Sequence, residues 1–191
     1  MPEPNSVLGT IVRTYQLNAS PKRVYEAFTN KKDLEMWMAD HYEIELRKGG
    51  KYKMGLESDG YAATGEFLEI VPNEKIVYSW KMTEYDENTK KPNPNSSMDK
   101  PTKVTLKFEK AGNRGTKITL IQEGFPEKEE QYYMHEVGWD LNVGQLLKAY
   151  LEMSSDEYNR WWAEREPTWQ QNWQKIFEDR MKTAHQMKVE A

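Results

Sequence analysis

The stretch His135–Glu152, HEVGWDLNVGQLLKAYLE, carries the longest unbroken helical pattern in this 191-residue chain. At 3.6 residues per turn, Trp139, Val143, Leu146 and Tyr150 fall on one stripe, while Val137, Leu141, Gly144 and Leu151 fall on another. A helix resting on a single layer needs only one apolar face. Two stripes therefore predict a helix that lies on a sheet and is also covered by something else. Gly138 and Gly144 each weaken such a helix by about 1 kcal/mol relative to Ala, so they point to close backbone approach or to space left for a ligand.

Upstream of this helix the pattern is mostly that of strands. From Leu8 to Leu17 the residues alternate, with Ile11, Tyr15 and Leu17 on one side and Val12, Thr14 and Gln16 on the other. Ser20-Pro21 supplies an N-cap and a first-turn proline for a short helix to Asn30, and a second short helix follows from Lys32 to Met38. Strands are predicted at 41–47, 51–56, 61–71, 75–82, 103–109 and 116–123, separated by Gly49-Gly50, Ser58-Asp59-Gly60, Pro72-Asn73 and 111–115 as turns. Gly65 inside the third of these marks a bulge or tight bend. Residues 84–101, with three prolines and hardly an apolar side chain, read as a long mobile loop. Sequential hairpins favour an antiparallel meander, because parallel strands need long crossovers. The order is β, α, α, several β, then a long α, which defines an α+β fold with the helix gripped by the sheet.

The chain does not stop at Glu152. Ser154 with Glu157 three residues on is a capping-box arrangement that starts a new helix, expected to run to about Arg165. Pro167 then opens a last helix to about Met187, with Trp169, Trp173, Ile176 and Phe177 on one face. The domain reading is thus 1–153 for the main body and 154–191 for a Trp-rich helical extension. The extension packs on the second stripe of the long helix, with pairing of two protomers as the next alternative. Its acidic residues outnumber its basic ones, the opposite of what a membrane-surface helix carries, so a membrane is not an expected partner.

Composition narrows the function. Net charge is −4, which leaves no basic footprint for nucleic acid. The lack of cysteine removes thiolate catalysis, thiolate-bound metals and disulfides, and an aromatic content of 12% argues for a folded core despite 30% charged residues. No leader-like or membrane-spanning apolar run occurs, so a cytoplasmic location is expected. The histidines His41, His135 and His185 show no metal-ligand spacing, and His135 is read as a hydrogen-bonding or surface residue. Nothing resembles a nucleophile elbow or a phosphate cradle. Neither a cofactor nor a metal is expected.

Several stretches together resemble a known family. They are Ser20 to Phe28, Gly49-Gly50-Lys51-Tyr52, Gly65 to Pro72, Tyr78-Ser79-Trp80, and His135 with Gly138-Trp139 and Leu146 to Leu151. Their order from about Val7 to Glu152 is similar to that of the heat-shock-protein-90 ATPase activator-like family, part of the START and birch-pollen-allergen superfamily (SRPBCC) of helix-grip proteins. The resemblance implies a curved antiparallel sheet wrapped around the C-terminal helix with an apolar cavity between them. Superfamily members hold lipids, sterols, polyketides or hormones there, and a few catalyse cyclisation or dehydration. Two departures are the longer loop at 88–100 and the tail.

On that fold the candidate ligand-binding residues are Met54, Phe67, Tyr78, Trp80, Phe108 and Leu120 of the sheet and Trp139, Val143, Leu146 and Leu147 of the helix. Trp37 stands near the mouth. Tyr78, Trp80 and Tyr15 offer polar tips to orient a ligand. Arg13, in phase with Ile11 and Tyr15, either points inward to hold a carboxylate or stands at a strand end in water. The reading is non-enzymatic binding of a small hydrophobic or amphipathic molecule, in a stress- or chaperone-related setting. The alternatives are a cochaperone-like module that binds a chaperone or other protein, a homodimer through the tail, and a polyketide cyclase- or hydratase-like enzyme of the same fold.

Overall fold

The computed structural model describes residues 9–55, 60–86, 88–94, 96, 100–125 and 130–189. Seven antiparallel strands form one curved sheet: β1 (Gly9–Leu17), β2 (Tyr42–Ile44), β3 (Lys51–Met54), β4 (Tyr61–Val71), β5 (Lys75–Glu84), β6 (Thr102–Ala111) and β7 (Gly115–Phe125). The order across the sheet is β1-β7-β6-β5-β4-β3-β2, a meander from β2 to β7 with β1 added beside the last strand. Short helices α1 (Pro21–Thr29) and α2 (Lys31–Trp37) follow β1. Their separation is set by Asn30, whose backbone N–H closes α1 on Glu26 while its side chain accepts from the Lys32 N–H to start α2.

The alternation read in the sequence is the alternation of burial. Ile11 and Leu17 of β1, Ile76, Tyr78 and Trp80 of β5, Val104, Leu106 and Phe108 of β6, and Ile118 and Leu120 of β7 are all buried in one cluster. Against them lie Trp139, Val143, Leu146 and Leu147 of the helix that begins at Glu130. This helix is α3 (Glu130–Leu141), a wider π-helical stretch (Asn142–Leu147) and α4 (Lys148–Glu152), in continuous succession. The second stripe is buried at Val137 and Leu141 and half-buried at Gly144 and Leu151. Val137 and Leu141 are covered because α5 (Ser155–Val189) packs against α3.

Several boundaries differ from expectation. The strand expected over 41–47 is confined to Tyr42–Ile44, because the chain folds back at Glu45: a Cβ on Gly50 would sit 2.0 Å from the Glu45 carbonyl oxygen. Gly65 is not the bulge of β4, which lies between Phe67 and Glu69. It serves close approach, since a Cβ there would meet the Ser79 carbonyl oxygen at 1.8 Å and the Tyr52 ring at 2.6 Å. The described part of 84–101 is a compact turn: Tyr85 bridges Pro92, and the Asp86 carboxylate accepts from the Asn88 and Thr89 N–H groups at 3.1 and 2.7 Å. The turn at Ser58-Asp59 and the acidic run after Phe125 lie outside the described residues.

The tail holds the largest difference. It starts as its capping box dictates, with the Glu157 carboxylate accepting from the Ser154 backbone N–H at 2.9 Å and from its hydroxyl at 2.7 Å. It then runs as one helix of 35 residues straight through Pro167, so the two-helix expectation is wrong and the longest helix is α5. Tertiary contacts on both sides of the proline hold it in register: Trp162 and Trp169 meet edge to face at 5.4 Å across Pro167, and both pack against the core. The buried or half-buried stripe is Tyr158, Trp161, Trp162, Arg165, Trp169, Trp173, Phe177 and Arg180, whereas Ile176 is exposed.

Candidate functional site

The interior directly between sheet and helices is filled. Phe28, Leu34, Tyr42, Tyr52, Phe67, Tyr78 and Leu106 close around a gap of about 10 Å³, room for one water at most. The open space lies to one side, where β3–β5, α3 and α5 enclose a cleft of about 1090 Å³. Its apolar walls are Met38 after α2, Met54 of β3, Trp80 and Met82 of β5, Met134 and Trp139 of α3, and Trp169, Trp173 and Phe177 of α5. Gly138 also lines it, and a Cβ built there meets nothing within 4 Å. That glycine leaves space, one of the two roles the helical pattern suggested, while a Cβ on Gly144 would stand 3.4 Å from the Tyr15 ring, an ordinary contact.

The two indoles on the inner wall are fixed by buried polar partners. Trp80 Nε1–H donates to His135 Nε2 at 2.8 Å, and His135 Nδ1 lies 2.7 Å from the Gln131 carbonyl oxygen. Trp80 has no other proton to give and a carbonyl can only accept, so His135 is the tautomer protonated on Nδ1. Burial holds its pKa at about 4, well under the usual 6.5, although the bond to Gln131 acts in the opposite sense. Trp139 Nε1–H donates to Gln122 Oε1 at 2.6 Å, Gln122 Nε2 donates to Thr102 Oγ1 at 2.8 Å, and Thr102 Oγ1 donates to the Trp80 carbonyl at 3.3 Å. Gln122 and His135 were both missed as partners of the indoles. A glutamine at an inward position of β7, in phase with Ile118 and Leu120, was the signal available for the first.

Of the residues singled out in the sequence, Met54, Trp80 and Trp139 line the cleft. Phe67 and Tyr78 face the filled gap, and Phe108, Leu120, Val143, Leu146 and Leu147 are core. Trp37 is buried against Phe28 and donates to the Ala27 carbonyl at 3.0 Å, and it is Met38, the next residue, that reaches the cleft. The Trp80 tip is spent on His135 and so offers a guest no polar group.

Arg13 and Tyr15 belong to a separate charged cluster. Arg13 pairs with Glu136 at 2.7 Å and Asp140 at 2.9 Å, and the Tyr15 hydroxyl donates to Asp140 at 3.2 Å. Arg180 of α5 joins the same two carboxylates. Burial and the Asp140 charge push the Tyr15 phenol well above its ordinary range. The carboxylates that Arg13 holds are thus the protein's own, and the cluster ties β1, α3 and α5 together. At the other end of α5, the Tyr158 hydroxyl donates to the Met36 carbonyl at 2.5 Å, and the Tyr158 ring meets Tyr150 edge to face at 5.4 Å.

No group of three or more His, Cys, Asp and Glu side chains suited to a metal ion exists among the described residues, and no described helix is long and apolar enough to cross a membrane.

Comparison with known proteins agrees with this architecture. The family model described as "Activator of Hsp90 ATPase homolog 1-like protein" matches residues 18–152. Solved structures of similar fold include a Mesorhizobium loti protein, 21% identical, covering 75% of this chain and 97% of its own at a TM-score of 0.63. An Hsp90 activator from Plasmodium falciparum is 24% identical over 70% of this chain and 89% of its own, with a TM-score of 0.55. The solution structure of the Aha1 dimer from Colwellia psychrerythraea is 18% identical over 77% of this chain and 98% of that one, with a TM-score of 0.60. No curated protein sequence matches this chain.

Proposed function

This chain belongs to the Activator of Hsp90 ATPase homolog 1-like protein family, and from that premise we propose that it is a non-enzymatic receptor for a small hydrophobic or amphipathic molecule. The guest occupies the cleft between β3–β5, α3 and α5. The observation that carries this reading is a space of about 1090 Å³ lined by four methionines and several aromatic rings, together with polar side chains such as Asn142, Gln170, Gln171 and Gln174. Ligand sites are typically hundreds of Å³ with mostly apolar walls and a few polar groups, and flexible methionines adapt to a guest's shape. A general acid or base on the inner wall must be free to exchange a proton with the guest. His135 lines the cleft, but Trp80 and the Gln131 carbonyl occupy both of its ring nitrogens.

The test is to fill the cleft without disturbing the fold. Gly138→Leu adds a side chain where no atom lies within 4 Å of the Cβ position, and it raises helix propensity by almost 1 kcal/mol (~0.8). Titration with the neutral dye Nile red should show saturable binding to the full chain, weakened about tenfold or more in the variant at equal or higher thermal stability. Binding that Gly138→Leu leaves untouched would remove the cleft from the proposal.

A protein partner is the second reading, because one similar structure is an Hsp90 activator and another is a dimer. Light scattering on the full chain distinguishes a dimer, and pull-down with purified Hsp90 tests the chaperone.

A further inference from the structure

We infer that the cleft selects a guest with a positive charge attached to an apolar body, such as an alkylammonium or aromatic ammonium; this deepens the receptor reading above and rests on it. Its charge balance is one-sided. Among the described residues that line it, Glu84 of β5, Glu130 at the start of α3 and Glu178 of α5 stand against the one ammonium of Lys175. Among the described residues neither Glu84 nor Glu130 has an ion-pair partner, and Glu178 accepts only a neutral amide, from Gln174 at 3.0 Å. A guest carboxylate would meet three like charges, whereas a guest cation finds three of opposite sign at the mouth of a space with low-dielectric walls.

The walls have the same preference. With their N–H groups bonded to His135 and Gln122, Trp80 and Trp139 present only carbon surface to a guest. An indole without a free donor still attracts cations through its ring quadrupole. Trp169 and Trp173 add two more indoles from the opposite wall, Trp173 stacked on Phe177 at 5.3 Å. The thioethers of Met38, Met54, Met82 and Met134 are polarisable and carry no positive charge to oppose the guest. Trp169, Trp173 and Glu178 all come from α5, outside the 18–152 region matched by the family model, so this selectivity is a property of the extension as much as of the family fold.

Calorimetric titration of the full chain with decyltrimethylammonium, decyl maltoside and decanoate, all below micelle formation, separates the possibilities. The ammonium should bind about tenfold or more tightly than decanoate, a preference that shrinks with added salt. The triple variant Glu84→Gln/Glu130→Gln/Glu178→Gln should lose most of that preference while binding the maltoside as before. Equal or tighter binding of decanoate, or a preference that survives in the triple variant, overturns the inference and leaves the receptor reading standing. Failure of all three amphiphiles to bind overturns the receptor reading itself, and binding only of a basic peptide would replace the small-molecule guest with a chain segment.

Discussion

Protonation of His135 should unlock the inner wall of the cleft, and its cost follows from the geometry. The ring accepts from Trp80 on Nε2 and gives its one proton to the Gln131 carbonyl from Nδ1, so an imidazolium would place two donors face to face at 2.8 Å. Burial holds the folded pKa at about 4, while the unfolded chain protonates near 6.5. The unfolded state therefore binds the extra proton first. Stability from this site is complete above about pH 6.5, falls by about 1.4 kcal/mol per pH unit as pH drops, and is gone by about pH 4, a total of about 3 kcal/mol. Between about pH 7.5 and pH 5 the loss is about 2 kcal/mol. Carboxylates titrate over part of this range too, so the measurement is the stability difference between the native chain and His135→Gln, from urea denaturation at each pH. That difference should move by about 2 kcal/mol in favour of the variant on going to pH 5. A difference constant to within about 0.5 kcal/mol would show that His135 is not held neutral by its surroundings.

Two further substitutions probe the frame around the cleft. Gly65→Ala drives a methyl into the Ser79 carbonyl and the Tyr52 ring, at the crossing of β3, β4 and β5; overpacking of this kind costs about 3 kcal/mol, and the melting temperature should fall by roughly 10 °C. A fall of less than about 2 °C would mean that the strands separate there at little cost. Pro167→Ala supplies the N–H that α5 lacks in its interior, so stability should rise by up to about 3 kcal/mol and amide protection around Ala163 should increase. If stability drops instead, the proline is needed for the path that α5 takes over the sheet.

Much of the fold was legible because it is local. Alternation marked β1, β5, β6 and β7, Ser20-Pro21 and the Ser154–Glu157 box set helix starts, and two apolar stripes on 135–152 called for a layer on each side. Those signals are read within a few residues, where sterics and capping hydrogen bonds act. Tertiary structure decided what depends on competition between distant groups. Pro167 reads as a helix start in isolation, yet contacts from Tyr158 to Arg180 outweigh its missing hydrogen bond and keep α5 whole. Arg13 looks ready for a ligand until Glu136 and Asp140 arrive from a helix more than a hundred residues away and take its charge. The empty space follows the same logic: periodicity says which side chains point inward, but only their summed volumes decide where they meet and where they do not. Rings and aliphatic groups closed the gap beneath the sheet, and the helix beyond the region matched by the family model left one open at its side.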